Sequence, residues 1–408
     1  MADIQPFAAI RPAPAHAAAV SSPPYDVLDR DEVIARVAAS PESFLRVIRP
    51  DAELPDGTPA SDPRFTQVAR DNLAALERDG AMQRDAAPCF YIYELSLGGH
   101  TQVGVVAGAS CREYDQGLIK RHEHTREKEL DGRTRHIEGV GAQTGPVMLT
   151  YRKQAAIDAL VNERRAADPV YDFVADDAVR HRLWVVGDAE GIAALRERFA
   201  RDVSALYIAD GHHRSAASHA VWKRHQREGE TTPYDHYLVV LIPDDQVQIL
   251  AYNRLVNDLG DLDADALLAA AGERGFDVVE ANQPQPGARG RIGIYCGGRW
   301  RHLVARDVDP SDDTIFDAQL LQERLLAPLL GIVDVKTDPR IDFIGGIRGA
   351  AELERRADAT SGVAFFMHPV SVAQLIAVSD DGGVLPPKST WFEPKLRSGL
   401  FVRPLTSR

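Results

Sequence analysis

Asp210-Gly211-His212-His213-Arg214 puts a carboxylate, two imidazoles and a guanidinium on five consecutive residues. The apolar run Leu206-Tyr207-Ile208 before it reads as a short buried strand. Asp-Gly is a turn dipeptide. From about residue 212 to 228 there is no Gly or Pro and several Ala, which predicts a helix. A strand that turns through glycine into a helix aims free N–H groups and a positive dipole end at one spot, where anions bind. With His212, His213 and Arg214 at that spot, the pattern points to a phosphate-bearing ligand, approached by the Gly211 backbone and flanked by Asp210. A plain turn or solvated histidines are the bland alternatives. No metal site is expected, because adjacent histidines diverge from a helix start whereas ligands on one face need i,i+4 spacing.

A second dense segment runs from Lys120 to His136. A solvated helix face with i,i+4 pairs gives a similar charge count. However, cations cluster at Lys120, Arg121, Arg133 and Arg135, and three of the chain's 13 histidines fall here (His122, His124, His136). Arg121 and Arg133 are candidate phosphate clamps. Glu123 is a candidate acid/base, with His122 beside it suited to proton transfer near neutral pH.

Two proline-stiffened stretches supply further candidates. In Pro23-Pro24-Tyr25-Asp26-Val27 the prolines fix an extended path. Asp26 then becomes a candidate base and Tyr25 a candidate stacking ring, unless the segment is only a docked linker. In Pro386-Pro387-Lys388-Ser389-Thr390 a cation and two hydroxyls follow a stiff turn, so Lys388, Ser389 and Thr390 are candidate phosphate contacts, or else a loop closing a sheet. The common cradles are missing: no GxxxxGK[ST], no GxGxxG after a strand, no HExxH and no GxSxG.

The elements that must position these residues alternate irregularly. Helices are expected near 30–39, 64–82, 153–166, 189–201, 263–274, 314–329 and 371–378. Strands are expected at 89–97 and 101–109, joined by Gly98-Gly99 as a hairpin, and at 146–151, 181–187, 236–242, 247–256 and 363–367. A second hairpin is expected over 291–306. Helices mixed with hairpins, without a run of βα units, predict an α+β fold with a mixed sheet core. The expected organisation is a main domain of residues 1–256 and 313–408, with 257–312 inserted as an α/β subdomain.

The chain has 408 residues and a formal net charge of -13, which argues against general nucleic-acid binding. Three scattered cysteines (Cys89, Cys111, Cys296) suit a reducing compartment. No secretory signal and no membrane-length apolar window is evident, so a cytoplasmic protein is expected. Exposed strand edges leave room for a homodimer.

Together these motifs resemble one family over essentially the full chain, the "domain of unknown function 1015" proteins of bacteria and archaea. The matching pieces are Ile10-Arg11-Pro12, Pro23–Val27, Arg121–Thr125, Asp210–Arg214 and Pro386–Thr390. That name carries no activity. The Gly-x-His-Arg turn is also similar to the motif of the ParB/sulfiredoxin superfamily, which holds nucleotide phosphates. This resemblance implies phosphate contacts for Gly211, His213 and Arg214. His212 stands where sulfiredoxin has its reactive cysteine, so sulfinic-acid reduction is not implied. The Asp-Gly-His-x-Arg turn of free-serine kinases resembles Asp210–Arg214 and implies that Asp210 lies near a transferred phosphate. The resulting expectation is a phosphotransferase using ADP or ATP with Mg²⁺ on a small hydroxylated metabolite, free L-serine being one such acceptor. Asp210, Glu123 or Asp26 would take the hydroxyl proton. Alternatives are a phosphatase or nucleotide hydrolase working through His122 or His213, and a non-catalytic nucleotide-binding regulator.

Overall fold

The computed structural model describes residues 2–405, and the statements below concern those residues. The chain divides into two compact units, Met1–Val247 with Pro394–Arg408, and Gln248–Glu393.

The first unit is built on a nine-stranded mixed sheet. Its strands are β1 (Ile4–Gln5), β2 (Phe90–Leu97), β3 (His100–Ser110), β4 (Ile119–Lys120), β5 (Val147–Tyr151), β6 (Tyr171–Val174), β7 (Arg180–Val186), β8 (Leu206–Asp210) and β9 (His236–Pro243). They lie in the order β4-β8-β5-β9-β3-β2-β7-β6, with β1 on β3. Gly98 and Gly99, both at positive φ, make the β2–β3 turn as the sequence predicts. Central strands such as β5 and β9 are almost wholly buried, which explains their unbroken apolar runs. Ile92, Val105, Leu149, Val239 and Ile208 share one core with Ile157 of α3 (Ala155–Arg165) and Phe199 of α4 (Ala189–Asp202). A separate core joins Val20, Phe44 and Ile48 to α1 (Pro63–Arg78).

The charged segment contains a helix, α2 (Glu127–Val140), which the sequence analysis leaves unassigned. Its mean hydropathy is low, and its buried face is Thr134, His136, Ile137 and Val140, so charge density hides the periodicity. Gly141 at φ 70° ends it in the left-handed conformation.

The second unit is a six-stranded, fully antiparallel sheet in the order β11-β13-β12-β15-β10-β14. The strands are β10 (Tyr252–Val256), β11 (Phe276–Glu280), β12 (Arg291–Cys296), β13 (Arg299–Ala305), β14 (Ile341–Gly345) and β15 (Val363–Phe366). This corrects the expected boundaries. β10, β14 and β15 lie outside 257–312 yet pair in one sheet with the 291–305 hairpin, and such long-range pairing leaves no trace in local periodicity. The helical run 317–330, with a π turn at Gln322–Leu326, buries Leu320, Leu321, Leu325 and Leu326 in this core. The α+β class stands. Among the described residues, no helix is long and apolar enough to cross a membrane.

Candidate functional site

Strand β8 runs parallel to β4 and antiparallel to β5, with a register shift between Ile208 and Asp210. The chain then turns at Gly211 (φ 103°, ψ 34°), a conformation open to glycine and strained for other residues. Helix α5 (His212–His225) begins at once and carries no side-chain N-cap, so the Gly211 turn leaves its first N–H groups to be satisfied by something else.

Asp210 is the hub. Its Oδ1 lies 3.6 Å from Arg214 Nη2 and its Oδ2 accepts a hydrogen bond from Lys395 Nζ at 3.3 Å. Burial alone pushes the Asp210 carboxyl up, but Lys395, Arg214 and His212 outweigh it and hold the carboxyl below the usual carboxylate range. It is therefore ionised at neutral pH. Arg214 also donates from Nη1 to the Pro146 carbonyl, which fixes the guanidinium between β5 and the turn.

The histidines are mostly interior. His122 and His212 are both buried, and their rings meet edge to face with centroids 4.4 Å apart. The His122 N–H makes a long contact to His212 Nε2 (3.5 Å), and His212 Nδ1 faces Glu123 Oε2 at 3.8 Å. The His122 backbone N–H thus faces Nε2 of His212, and Glu123 lies on its Nδ1 side. Burial lowers the His122 pKa to about 4 against the opposing pull of Asp210, and burial with His122 nearby lowers His212 well below its ordinary value. Both imidazoles are neutral at pH 7. His213 is less enclosed, and its Nε2 accepts the Arg126 N–H at 3.1 Å.

Tyr25 and Arg133 form the opposite wall, with the Arg133 guanidinium carbon 4.0 Å from the Tyr25 ring centroid. Arg49 holds this loop by donating to the Tyr25 and Leu28 carbonyls (3.1 and 2.7 Å) while paired with Asp51. Burial raises the Tyr25 pKa, with Asp26 adding to it and Arg133 and Arg214 opposing, so all four are electrostatic neighbours. Asp26 itself is exposed. A cavity of about 30 Å³ lies behind, lined by Tyr25, Arg133, Thr144, Arg214, Ser218 and Ser398 among others. Ser398 is held by a two-way backbone pairing with Ser22 (3.0 and 2.8 Å).

Asp210, Gly211, His212, Arg214, His122, Glu123, Tyr25, Asp26 and Arg133 are thus brought into one region of the first unit. Arg121 is exposed, with its guanidinium carbon 5.7 Å from the Tyr114 ring centroid; it does not line the Arg133–Arg214 cavity but is an electrostatic neighbour of His212. Lys388, Ser389 and Thr390 belong to the second unit. There Lys388 is left-handed (φ 57°), its Nζ lies 5.7 Å from the Tyr252 ring centroid, and the Ser389 hydroxyl donates to the Pro386 carbonyl at 2.6 Å. Lys395 is the residue that the sequence analysis misses. Its one signal is a single cation after Pro394 in the C-terminal motif.

A family model matches residues 4–331. The chain belongs to the family described as protein of unknown function (DUF1015). Solved structures similar to this DUF1015 chain include a free serine kinase in complex with AMP, at 15% identity over 71% of this chain and 86% of that one, with TM-score 0.36. SbnI with C-terminal truncation from Staphylococcus aureus is 14% identical over 73% and 87%, with TM-score 0.40. A conserved hypothetical protein from Pyrococcus furiosus is 13% identical over 74% and 95%, with TM-score 0.36. No curated protein matches.

Proposed function

We propose that this protein is a phosphotransferase that uses ADP or ATP to phosphorylate a small hydroxylated metabolite. The observation that carries the reading is the ionised Asp210 carboxylate, held between Lys395 and Arg214 at the uncapped start of α5. Phosphoryl transfer needs positioning and charge neutralisation more than covalent chemistry. Arg214, Lys395 and the N–H groups after Gly211 neutralise phosphate oxygens, and Asp210 accepts the acceptor's hydroxyl proton. Glu123, oriented by His212, is the reserve carboxylate. The resemblance of the Asp210–Arg214 turn to that of free-serine kinases points the same way.

No group of three or more His, Cys, Asp or Glu side chains comes together as a metal site among the described residues. Mg²⁺ takes one or two carboxylates plus substrate phosphates, so Asp210 fits an ion that arrives with the nucleotide. Such an ion supplies charge neutralisation at the phosphates.

A carboxylate tied to two cations is a weak base. That favours, as a second reading, nucleotide binding without turnover. Calorimetric titration of ADP and ATP, with an assay for nucleotide consumption in the presence of L-serine and other small alcohols, separates the two. Under the first reading, wild type turns over, Asp210→Asn keeps its nucleotide affinity and loses about 10²- to 10⁴-fold in rate, and Arg214→Ala loses binding. Binding with no acceptor-dependent turnover supports the second reading. If Arg214→Ala binds nucleotide as wild type does, both fail.

A further inference from the structure

Arg133 carries five hydrogen-bond donors and uses none of them on the protein. Its contact is the Tyr25 ring, and among the described residues no hydrogen bond or ion pair engages its guanidinium. It stands on the inner face of α2, one turn before His136, whose Nε2 is already committed to Thr144 Oγ1 at 3.0 Å. Burial lowers the Arg133 pKa, and the like charges of Arg214 and Arg49 lower it further against Tyr25 and Asp26. The side chain is half-buried and its guanidinium nitrogens stay accessible, so its donors are available to a ligand that brings acceptors.

The space in front of it is suited to such a ligand. The cavity behind Tyr25 is lined by Arg133, Arg214, Thr144 and Ser398 on its polar side and by apolar residues such as Ile48 and Ile137 on the other. No carboxylate lines it. The planar fork of arginine matches two-oxygen anions, and Arg133 presents such a fork beside Arg214, whose Nη1 is held by the Pro146 carbonyl. Volume then decides which group enters. About 30 Å³ exceeds the space for one water but suits a single carboxylate-sized group. It is far below the several hundred Å³ that larger organic ligands occupy. The cavity therefore has room for a carboxylate-sized group and not for a whole nucleotide.

We propose that the Arg133–Arg214 cavity is a carboxylate anchor, so the acceptor is a short hydroxy acid. Arg214 is the shared residue, since it both lines the cavity and pairs with Asp210. A carboxylate seated on Arg133 leaves the hydroxyl of the same molecule directed toward Asp210. The role of the hydroxyl rests on the phosphotransfer reading, whereas binding of the carboxylate does not.

Calorimetric titration of the full chain with L-serine, D-glycerate and glycolate, each without nucleotide, tests the anchor. L-Serinamide, which keeps the hydroxyl and lacks the carboxylate, and inorganic phosphate are the comparison ligands. At least one hydroxy acid binds wild type, and serinamide and phosphate bind about tenfold or more weakly. Arg133→Met loses that preference, keeps ADP affinity within about twofold, and melts close to the wild-type temperature. Arg133→Lys restores part of the carboxylate binding.

The anchor is overturned if no hydroxy acid binds wild type or if serinamide binds as well as the acids. It is also overturned if Arg133→Met keeps the preference or melts well below wild type, as a purely structural arginine requires. If phosphate is the preferred ligand, the cavity is a phosphate subsite and the hydroxy-acid assignment is wrong. ADP binding is measured on the same samples. Its loss in wild type removes the phosphotransfer reading alone, and loss of carboxylate binding with ADP binding intact removes the anchor alone.

Discussion

Lys395 reaches Asp210 across 185 residues of sequence, with its Nζ 3.3 Å from Oδ2. The contact exists because the chain leaves the first unit after Val247 and returns to it at Pro394. The returning strand of chain is then fastened by Ser398 to Ser22 and by Val402 to Ile10, both through paired backbone hydrogen bonds. Residues 394–405 therefore bring Lys395 to an Asp210 turn built from the first unit's earlier segment.

The pair sets how the protein responds to acid. Lys395 and Arg214 hold the Asp210 carboxyl down to about 2 against the upward push of burial. A carboxyl lowered in the folded state contributes stability that is complete above its unfolded pKa and is lost as pH falls through the folded value. Removing Lys395 raises that folded value. Lys395→Met is thus expected to melt below wild type near neutral pH, with the difference narrowing as pH falls below about 4, where wild type protonates Asp210 and loses the contribution that the variant lacks. Thermal melts from pH 7 to pH 3 measure it. Superimposable curves for the two proteins mean that Lys395 does not act on Asp210.

Two buried histidines govern a different window. Burial takes His122 to about 4 and, with Arg133 adding, His136 to about 3, from an ordinary 6.5. A histidine held neutral by the fold contributes fully above 6.5, and the contribution is lost as pH falls toward the folded value, because the unfolded chain gains the proton first. For His122 the shift corresponds to roughly 3 kcal/mol at most. Denaturant unfolding should therefore show stability falling from pH 7 to pH 4.5, and the double variant His122→Gln/His136→Gln should flatten that slope. A slope unchanged in the double variant places the acid sensitivity elsewhere.

How much of this was legible depended on whether the signal was local. The β8–turn–α5 unit was readable because an apolar run, a turn dipeptide and an Ala-rich stretch follow one another within about twenty residues. The β2–β3 hairpin was readable from Gly98-Gly99. Arg133 was identifiable as a clamp candidate by residue type, yet its missing partners and its cavity depend on Tyr25 and Ser398, more than a hundred and more than two hundred residues away. Lys395 offered no spacing to Asp210 that a sequence could show. The extent of the second unit was hidden for the same reason, since β14 pairs with β10 across a long intervening stretch. Helix α2 was obscured by its own charges.

The glycine of the turn offers the sharpest separation of local strain from site geometry. A Cβ on Gly211 would lie 3.0 Å from Arg214 Nε and 3.1 Å from its Cζ and Nη2, at a φ of 103° that L side chains rarely adopt. The strain costs about 1–2 kcal/mol, and the guanidinium, as the far end of a flexible side chain, moves away. Gly211→Ala should therefore melt a few degrees lower and lose at least about tenfold in ADP affinity through the displaced Arg214. Gly145→Ala is the control on the other side of the same arginine. Its Cβ would lie 3.6 Å from Arg214 Cδ and from Ser398 Oγ, an ordinary contact with no positive φ, and its ADP affinity should match wild type. Calorimetry on the two variants decides the point. If Gly211→Ala binds ADP as tightly as Gly145→Ala does, the turn is not the phosphate cradle and Arg214 serves only to fasten the Pro146 carbonyl.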